Sequence, residues 1–269
     1  MKKAIGILSI AATLAMIQSC TKVIEIDLNE ADQKLVIEGY VYEGNSTIEV
    51  LLTRTTSYFD AGGPLPVDGA TVKVTMPNAS VITLTPAGDG YYRAEGVAVV
   101  NNATYALEVT EGGNTYTSTS YMPVPVPIDS LTQEFQEGIF GGEDSYNVFI
   151  NYQDQFGKNF YRARAWVDGI YLQEPGEIQM FDDNLNDGNY IRIPLFVTTF
   201  QAGDTVEVEL QSMSPETYEF FQTFALAASE DAGSPFTAAP ANPETNIKGG
   251  ALGVWAAIAV SRDTIAVVE

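Results

Sequence analysis

The stretch "KLVIEGYVYEG" (34–44), followed one residue later by "STIEVLLTRT" (46–55), decides the fold class. Both runs alternate apolar and polar residues and are rich in Val, Ile, Tyr and Thr. A period of two gives an extended chain one face for a core and another for water. Gly44 and Asn45 punctuate the two runs, so the reading is two short antiparallel strands.

Similar segments follow toward the C-terminus: "ATVKVTM" (70–76), "SVITLTP" (80–86), "GYYRAEGVAVV" (90–100), "TYALEVTEG" (104–112) and "TYTSTSYMP" (115–123). The turns "PNAS", "AGDG" and "EGGN" separate them, with Asn or Gly able to take positive φ. Short strands divided by turns at this spacing predict an antiparallel β-sandwich. "SYFDAGGPLPVDGA" (57–70) interrupts the series as a longer connection. In "MPVPVPI" (122–128), prolines at 123, 125 and 127 exclude a central strand and favour a stiff spacer. The expected organisation is therefore a sandwich over 20–121, a proline linker over 122–128 and a second β-rich domain over 129–269.

The second domain opens with "SLTQEFQ", "SYNVFINYQD" and "NFYRARAWVDG", and continues with "YIRIPLFV" and "DTVEVELQSM". The period then changes. "SPETYEFFQTFALAAS" (214–229) offers Ser214 as N-cap, Pro215 at the first helical position and Glu216 in the first turn. Tyr218, Phe221, Ala225 and Ala228 form one face, widened by Phe220 and Phe224, which predicts one helix packed on a sheet. "ALGVWAAIAV" (251–260) and "DTIAVV" (263–268) are nearly continuously apolar, as expected of strands buried on both faces.

At the N-terminus, Lys2 and Lys3 precede 14 almost wholly apolar residues, Ala4 to Ile17. That run is too short to span a bilayer but suits the core of a secretory signal. Ile17-Gln18-Ser19-Cys20 resembles a bacterial lipobox, with an aliphatic residue at minus three and a small one at minus one. The resemblance implies removal of residues 1–19, thioether lipidation of Cys20 and acylation of the new amino group. Cys20 is the only cysteine of the chain, so it has no internal disulfide partner.

Net charge restricts the partners. The formal charge is −22, and losing Lys2 and Lys3 leaves 11 basic against 35 acidic residues, or −24. Such a chain does not neutralise phosphates, so nucleic acid is not an expected partner, nor is electrostatic attachment to an anionic membrane. The membrane contact expected is the lipid on Cys20.

Catalytic constellations are sparse. The chain has no histidine, so a Ser-His-Asp triad and a His-bearing zinc site are excluded. It carries no Walker loop, G-x-G-x-x-G or G-x-S-x-G. "EGIFGGED" (137–144) is glycine-rich but lacks the lysine and following helix of a phosphate cradle. With 35 acids, any carboxylate pair is uninformative. The reading is a non-enzyme without a cofactor. "FDDNLNDGNY" (181–190) gathers Asp182, Asp183 and Asp187 at a density that suits calcium. An EF-hand register fails, because counting from Asp182 the glycine falls at position seven and Ile193 stands at twelve. The alternative is a polar loop using Asn and Asp for turns. Tyr146, Phe149, Tyr152, Phe160, Tyr161, Trp166 and Tyr171 fit a core better than a binding platform. Arg162 and Arg164 are two apart and share a strand face with Trp166; together with Arg192 they stand out in so acidic a chain, salt bridging being the simplest reading.

Taken in order, "CTKVIEIDL" running into "KLVIEGYV", then "LLTRTTSYFD", "VDGATVKV", "GYYRAEG" ahead of "TYALEVT", "MFDDNLNDGNY", "SPETYEFF" and "SPFTAAPANPETNIKGGALG" resemble a large family of Bacteroidota-type outer-membrane lipoproteins. Its domain has no assigned function, and its members are commonly encoded beside TonB-dependent receptors. The resemblance implies an Ig-like or prealbumin-like first domain, an outer-membrane location on the periplasmic or cell-surface face, and an accessory or binding role beside a nutrient receptor. A structural, adhesin-type surface protein is the alternative. Ser130, Thr205 and Thr264 each follow an Asp and precede an aliphatic residue, resembling the O-glycosylation acceptor of Bacteroidota.

Overall fold

The alternation at 34–55 sets the architecture. In the computed structural model, which describes residues 32–56, 62–138, 143–172, 178–196, 198–228 and 241–269, every second residue of the first strand is buried. The expected leader and Cys20 lie outside these residues, as do parts of the 57–70, 137–144 and 233–250 connections. Before the prolines the chain forms β1 (Leu35–Tyr42), β2 (Ile48–Arg54), β3 (Leu65–Pro66), β4 (Thr71–Thr75), β5 (Val81–Thr83), β6 (Thr85–Gly88), β7 (Tyr91–Ala94), β8 (Ala103–Glu111) and β9 (Asn114–Met122). After them come β10 (Ser130–Gln136), β11 (Ser145–Gln153), β12 (Phe160–Val167), β13 (Ile170–Tyr171), β14 (Gln179–Asp182), β15 (Tyr190–Pro194), β16 (Thr205–Ser212), the helix α1 (Pro215–Ala228) and β17 (Leu252–Ala266).

The protein is mainly β, as the patterning predicts. A ten-stranded sheet runs β13-β12-β16-β17-β1-β2-β7-β6, with β14 paired to β12 and β3 to β2. Two smaller sheets accompany it, β5-β4-β8-β9 and β10-β11-β15. One core joins the β1 side of the large sheet to the four-stranded sheet through residues such as Ile37, Leu52, Val74, Tyr105 and Trp255. A second joins the β12 side to the three-stranded sheet through Val148, Ile150, Tyr161, Ala163 and Leu210.

The division suggested by the prolines is crossed by β17. Its first half pairs in parallel with β1, Val36 opposite Leu252 through Tyr42 opposite Ile258. Its second half pairs antiparallel with β16, Ser212 opposite Ala259 through Thr205 opposite Ala266. Residues 33–269 thus make one compact unit. The proline segment is docked rather than free: Val126 is buried in the second core, and Ile128 N donates to Ser261 Oγ at 2.9 Å. Burial on both faces holds for β17 only from Gly253 to Ala259; beyond them the strand alternates, because one side faces solvent.

A strand with β1 on one side needs partners on the other. Side chains supply them. Trp255 N donates to Asn246 Oδ1 at 2.9 Å, Asn246 Nδ2 donates back to Trp255 O at 2.7 Å, and Ala257 N donates to Ser120 Oγ at 2.9 Å. The Asn246 amide therefore acts as one rung of a missing strand.

The helix begins where its sequence signals place it, with Ser214 Oγ accepting from Thr217 N at 3.4 Å. Its buried side chains are Thr217, Phe220 and Phe221, while Ala228 is exposed, so the packed face is rotated from the expected one. Thr217 can be buried because its hydroxyl meets those of Ser214 and Ser120. The helix covers the outer face of the large sheet, on Phe160, Met213, Val254, Ala256 and Ile258. Ser214→Ala should cost about 1 kcal/mol, seen as a lower urea midpoint with an unchanged slope.

Candidate functional site

Beyond the helix, the outer face of the large sheet carries the arginines that stand out in the sequence. Successive outward positions of β12 are Phe160, Arg162, Arg164 and Trp166. Opposite them on β16, Arg162 faces Gln211, Arg164 faces Glu209 and Trp166 faces Glu207; on β17, Arg262 faces Glu209 in turn. The pleat thus brings three arginines and one buried carboxylate into adjacent rows.

Glu209 is 1% exposed. Its Oε1 accepts from Arg164 Nη1 at 3.3 Å and from Gln211 Nε2 at 2.6 Å, and its Oε2 accepts from Arg262 Nε at 2.9 Å and Nη2 at 2.5 Å. Aromatic rings hold the arginines flat. Arg164 lies 4.9 Å from the Trp166 ring centre and 4.8 Å from that of Tyr171, and Arg162 lies 4.5 Å from Phe221. Burial lowers the Arg164 pKa, but hydrogen bonding to Tyr171 and the Glu209 charge outweigh it, so the guanidinium stays charged. Tyr40 and Tyr42 of β1 stack beside them; burial raises both phenols above their ordinary range, Tyr40 the further, while Arg162 and Arg164 pull the other way.

The expected salt bridging is present at Arg164 and at Arg192, whose Nη2 lies 2.8 Å from Glu134 Oε1. Arg162 differs. Among the described residues no carboxylate pairs with it, and its Nη2 donates to the Tyr171 hydroxyl at 3.4 Å. Tyr152, Phe160 and Tyr161 are core residues, as expected, whereas Phe149, Trp166 and Tyr171 instead carry arginines on the outer faces.

The acidic loop at 181–190 forms a clasp with the turn between β11 and β12. Asp183 and Asp187 do come together, but their third member is Asp154 and not Asp182; the three carboxylates lie within 4.8 Å of one another. Asp182 turns away to accept from Asn184 N at 3.2 Å and Nδ2 at 2.6 Å, an Asx turn. Asp154 accepts from the Tyr161 hydroxyl and from Gly188 N at 2.9 Å. Asp183 accepts from Asn159 N at 2.9 Å, and Asp187 from Gly157 N at 2.8 Å. These hydrogen bonds tie the loop to the turn as a clasp, and the same three carboxylates are close enough together to offer oxygen ligands to a cation. Burial first, and then the Asp154 bond, push the Tyr161 phenol far above its ordinary range, which keeps its proton available to the clasp. Asp154 directly follows β11, 27 residues before the loop opens at Phe181, and only the fold shows that it belongs there.

The acceptor-like positions are scattered: Ser130 opens β10 half-buried, Thr205 opens β16 exposed, and Thr264 is exposed opposite Glu207.

No curated protein matches this chain. Among solved structures it is similar to a two-domain fibronectin type III segment of chicken tenascin, with 13% identity and a TM-score of 0.23, over 67% of this chain and 91% of that one. It is also similar to the FN1–FN3 domains of chicken CNTN1, with 9% identity and a TM-score of 0.27, over 66% of this chain and 60% of that one. The model of the family described as "Domain of unknown function (DUF4249)" matches residues 21–264, and the chain belongs to that family.

Proposed function

We propose that the protein is a lipid-anchored, non-catalytic binding component of the cell envelope, working beside a TonB-dependent outer-membrane receptor. The observation that carries the reading is the position of Cys20: it ends an apolar leader, and the family match begins one residue later, at 21. A leader that stops where the family domain starts suits a lipoprotein signal. No helix of the described residues is long and apolar enough to cross a membrane, so the acyl chains would do the anchoring. The strongly acidic domain would meet its receptor through specific contacts rather than through attraction to anionic headgroups.

Cys20→Ala should leave the chain unlabelled by a palmitate analogue and release it from the membrane fraction, since thioether transfer needs that sulfur. The wild-type protein, drawn from envelope membranes in mild detergent, should bring a β-barrel receptor with it. Unchanged labelling of the variant overturns the anchor, and a pull-down that yields no barrel overturns the partnership.

A further inference from the structure

Two apolar side chains stand furthest out of the protein, and both sit on the acidic clasp. Among the described residues Leu185 is 92% exposed and Phe156 90%, and no other large apolar residue exceeds 75%. Phe156 lies in the turn between β11 and β12, and Leu185 in the loop that the turn meets. The two are neighbours: a Cβ on Gly188 would come 2.5 Å from the Phe156 ring, and Leu185 is three residues from Gly188, a reach of at most about 10 Å. Tyr190, 57% exposed, follows two residues after Gly188. Single exposed apolar residues are ordinary, but a group of them on one pair of loops marks an interaction surface.

The clasp holds them in place. Gly157 N, directly beside Phe156, donates to Asp187 Oδ1 at 2.8 Å, and Asn159 Nδ2 donates to the carbonyls of Gln155 and Gly157, both at 2.8 Å. Across the clasp, Gly188 N donates to Asp154 Oδ2 and Gln153 Nε2 donates to Gly188 O, both at 2.9 Å. Asn186 N closes the turn that carries Leu185 by donating to Asp183 O at 2.8 Å. Apolar groups already held in fixed positions lose little freedom on docking. None of these bonds uses the side chain of Phe156 or Leu185.

The charge beside them narrows the occupant. Within residues 153–160 and 181–190, Asp154, Asp182, Asp183 and Asp187 stand against Lys158 alone, four acids against one base, a formal −3. Membrane-surface segments carry Lys or Arg beside their apolar residues, whereas an acidic rim is repelled by anionic headgroups. A second copy docked clasp to clasp would set the same acids against each other. A protein with an apolar socket rimmed by Lys or Arg complements both the exposed side chains and the aspartates.

We propose that Phe156 and Leu185 are the anchors by which the protein docks on its receptor, entering an apolar socket of that receptor rimmed by Lys or Arg. This surface presupposes the receptor partnership proposed above. Burial of the two side chains supplies the apolar contact, Tyr190 flanks it, and the aspartates set the orientation by facing the basic rim.

The probe is the barrel receptor recovered with the wild-type protein from envelope membranes, purified in detergent and titrated with the full lipidated chain by calorimetry. Phe156→Ser and Leu185→Ser should each weaken binding by about tenfold or more, the loss expected when one large apolar side chain is no longer buried. Both variants should keep the wild-type urea midpoint, because both side chains stand in water in the free protein. Ile170→Ser, at a residue 70% exposed beyond the opposite end of β12, should bind like wild type. Affinity should fall as ionic strength rises. The unacylated Cys20→Ala chain should not sediment with vesicles of phosphatidylethanolamine and phosphatidylglycerol. Wild-type protein that brings no barrel overturns the partnership and this surface with it. A receptor bound equally well by wild type and by both Ser variants overturns the surface alone. So does an equal loss from Ile170→Ser, an affinity indifferent to salt, or vesicle binding that Phe156→Ser abolishes, which would make the membrane the occupant.

Discussion

Gly253→Ala is expected to unfold the protein or to cost more than about 4 kcal/mol, the range reserved for severe steric faults. Gly253 stands in β17 with φ at 97°, a conformation that side chains rarely adopt. A Cβ there would lie 2.1 Å from the Ile37 carbonyl oxygen and 2.8 Å from its carbon. Both obstacles are backbone atoms of the paired strand β1, so no rotamer change relieves them. The substitution must separate β17 from β1 or distort both, and urea denaturation of the purified variant measures the loss. A stability within about 1 kcal/mol of wild type would show that the parallel pairing is not as described. Gly39 offers an internal comparison, since its Cβ would meet the Trp255 ring at 2.6 Å, a side chain whose Nε1 is fixed on Tyr105 O at 2.9 Å. Gly39→Ala should hurt less than Gly253→Ala, because a ring can shift where a carbonyl in a ladder cannot.

Glu209→Ala should be the most damaging change among the charged residues, at about 3 kcal/mol. It removes a carboxylate that is 2% exposed and leaves Arg164, Arg262 and the Gln211 amide without their acceptor. Arg262, 58% exposed at its side chain, can return to water, which places the cost toward the lower end of the range for a broken buried pair. Arg164, 25% exposed and held between Trp166 and Tyr171, cannot escape so readily. The measurement is the midpoint of chemical denaturation for Glu209→Ala beside Arg262→Ala. Arg262→Ala should lose the smaller amount, because Glu209 keeps Arg164 and Gln211.

Local features were legible in the sequence because they have local causes. The alternation at Leu35, Ile37 and Val41 is the geometry of a half-buried strand, and Ser214-Pro215-Glu216 is a helix start whatever surrounds it. The apolar run at 253–259 announces burial on both faces. What it does not announce is the neighbour. Pairing of β17 with β1 joins residues more than 200 positions apart, and no local pattern records which edge a buried strand will fill. The same limit applies to the candidate site. Arg162 and Arg164 were visible as a pair on one strand face, but Glu209, Gln211 and Arg262 joined them only through cross-strand register. Asp154 entered the acidic clasp, and Asp182 left it, for the same reason: turn geometry at 182–184 satisfies Asp182 locally, while the end of β11 delivers Asp154 from outside the loop. The helix face shifted because Thr217 found hydroxyl partners that a hydrophobicity pattern does not count.

The place of β17 beside the first strand also has a consequence in time. Synthesis, and export behind an N-terminal leader, both deliver the chain from its N-terminal end. Until residues 252–258 have been made, β1 has β2 on one flank only, and the peptide groups of its other flank have no mate. Trp255, which fills the first core, is missing for the same interval. The early sandwich is therefore a waiting structure with an adhesive rim, at risk of joining a neighbour's strand, and it is sealed only by nearly the last part of the chain to arrive.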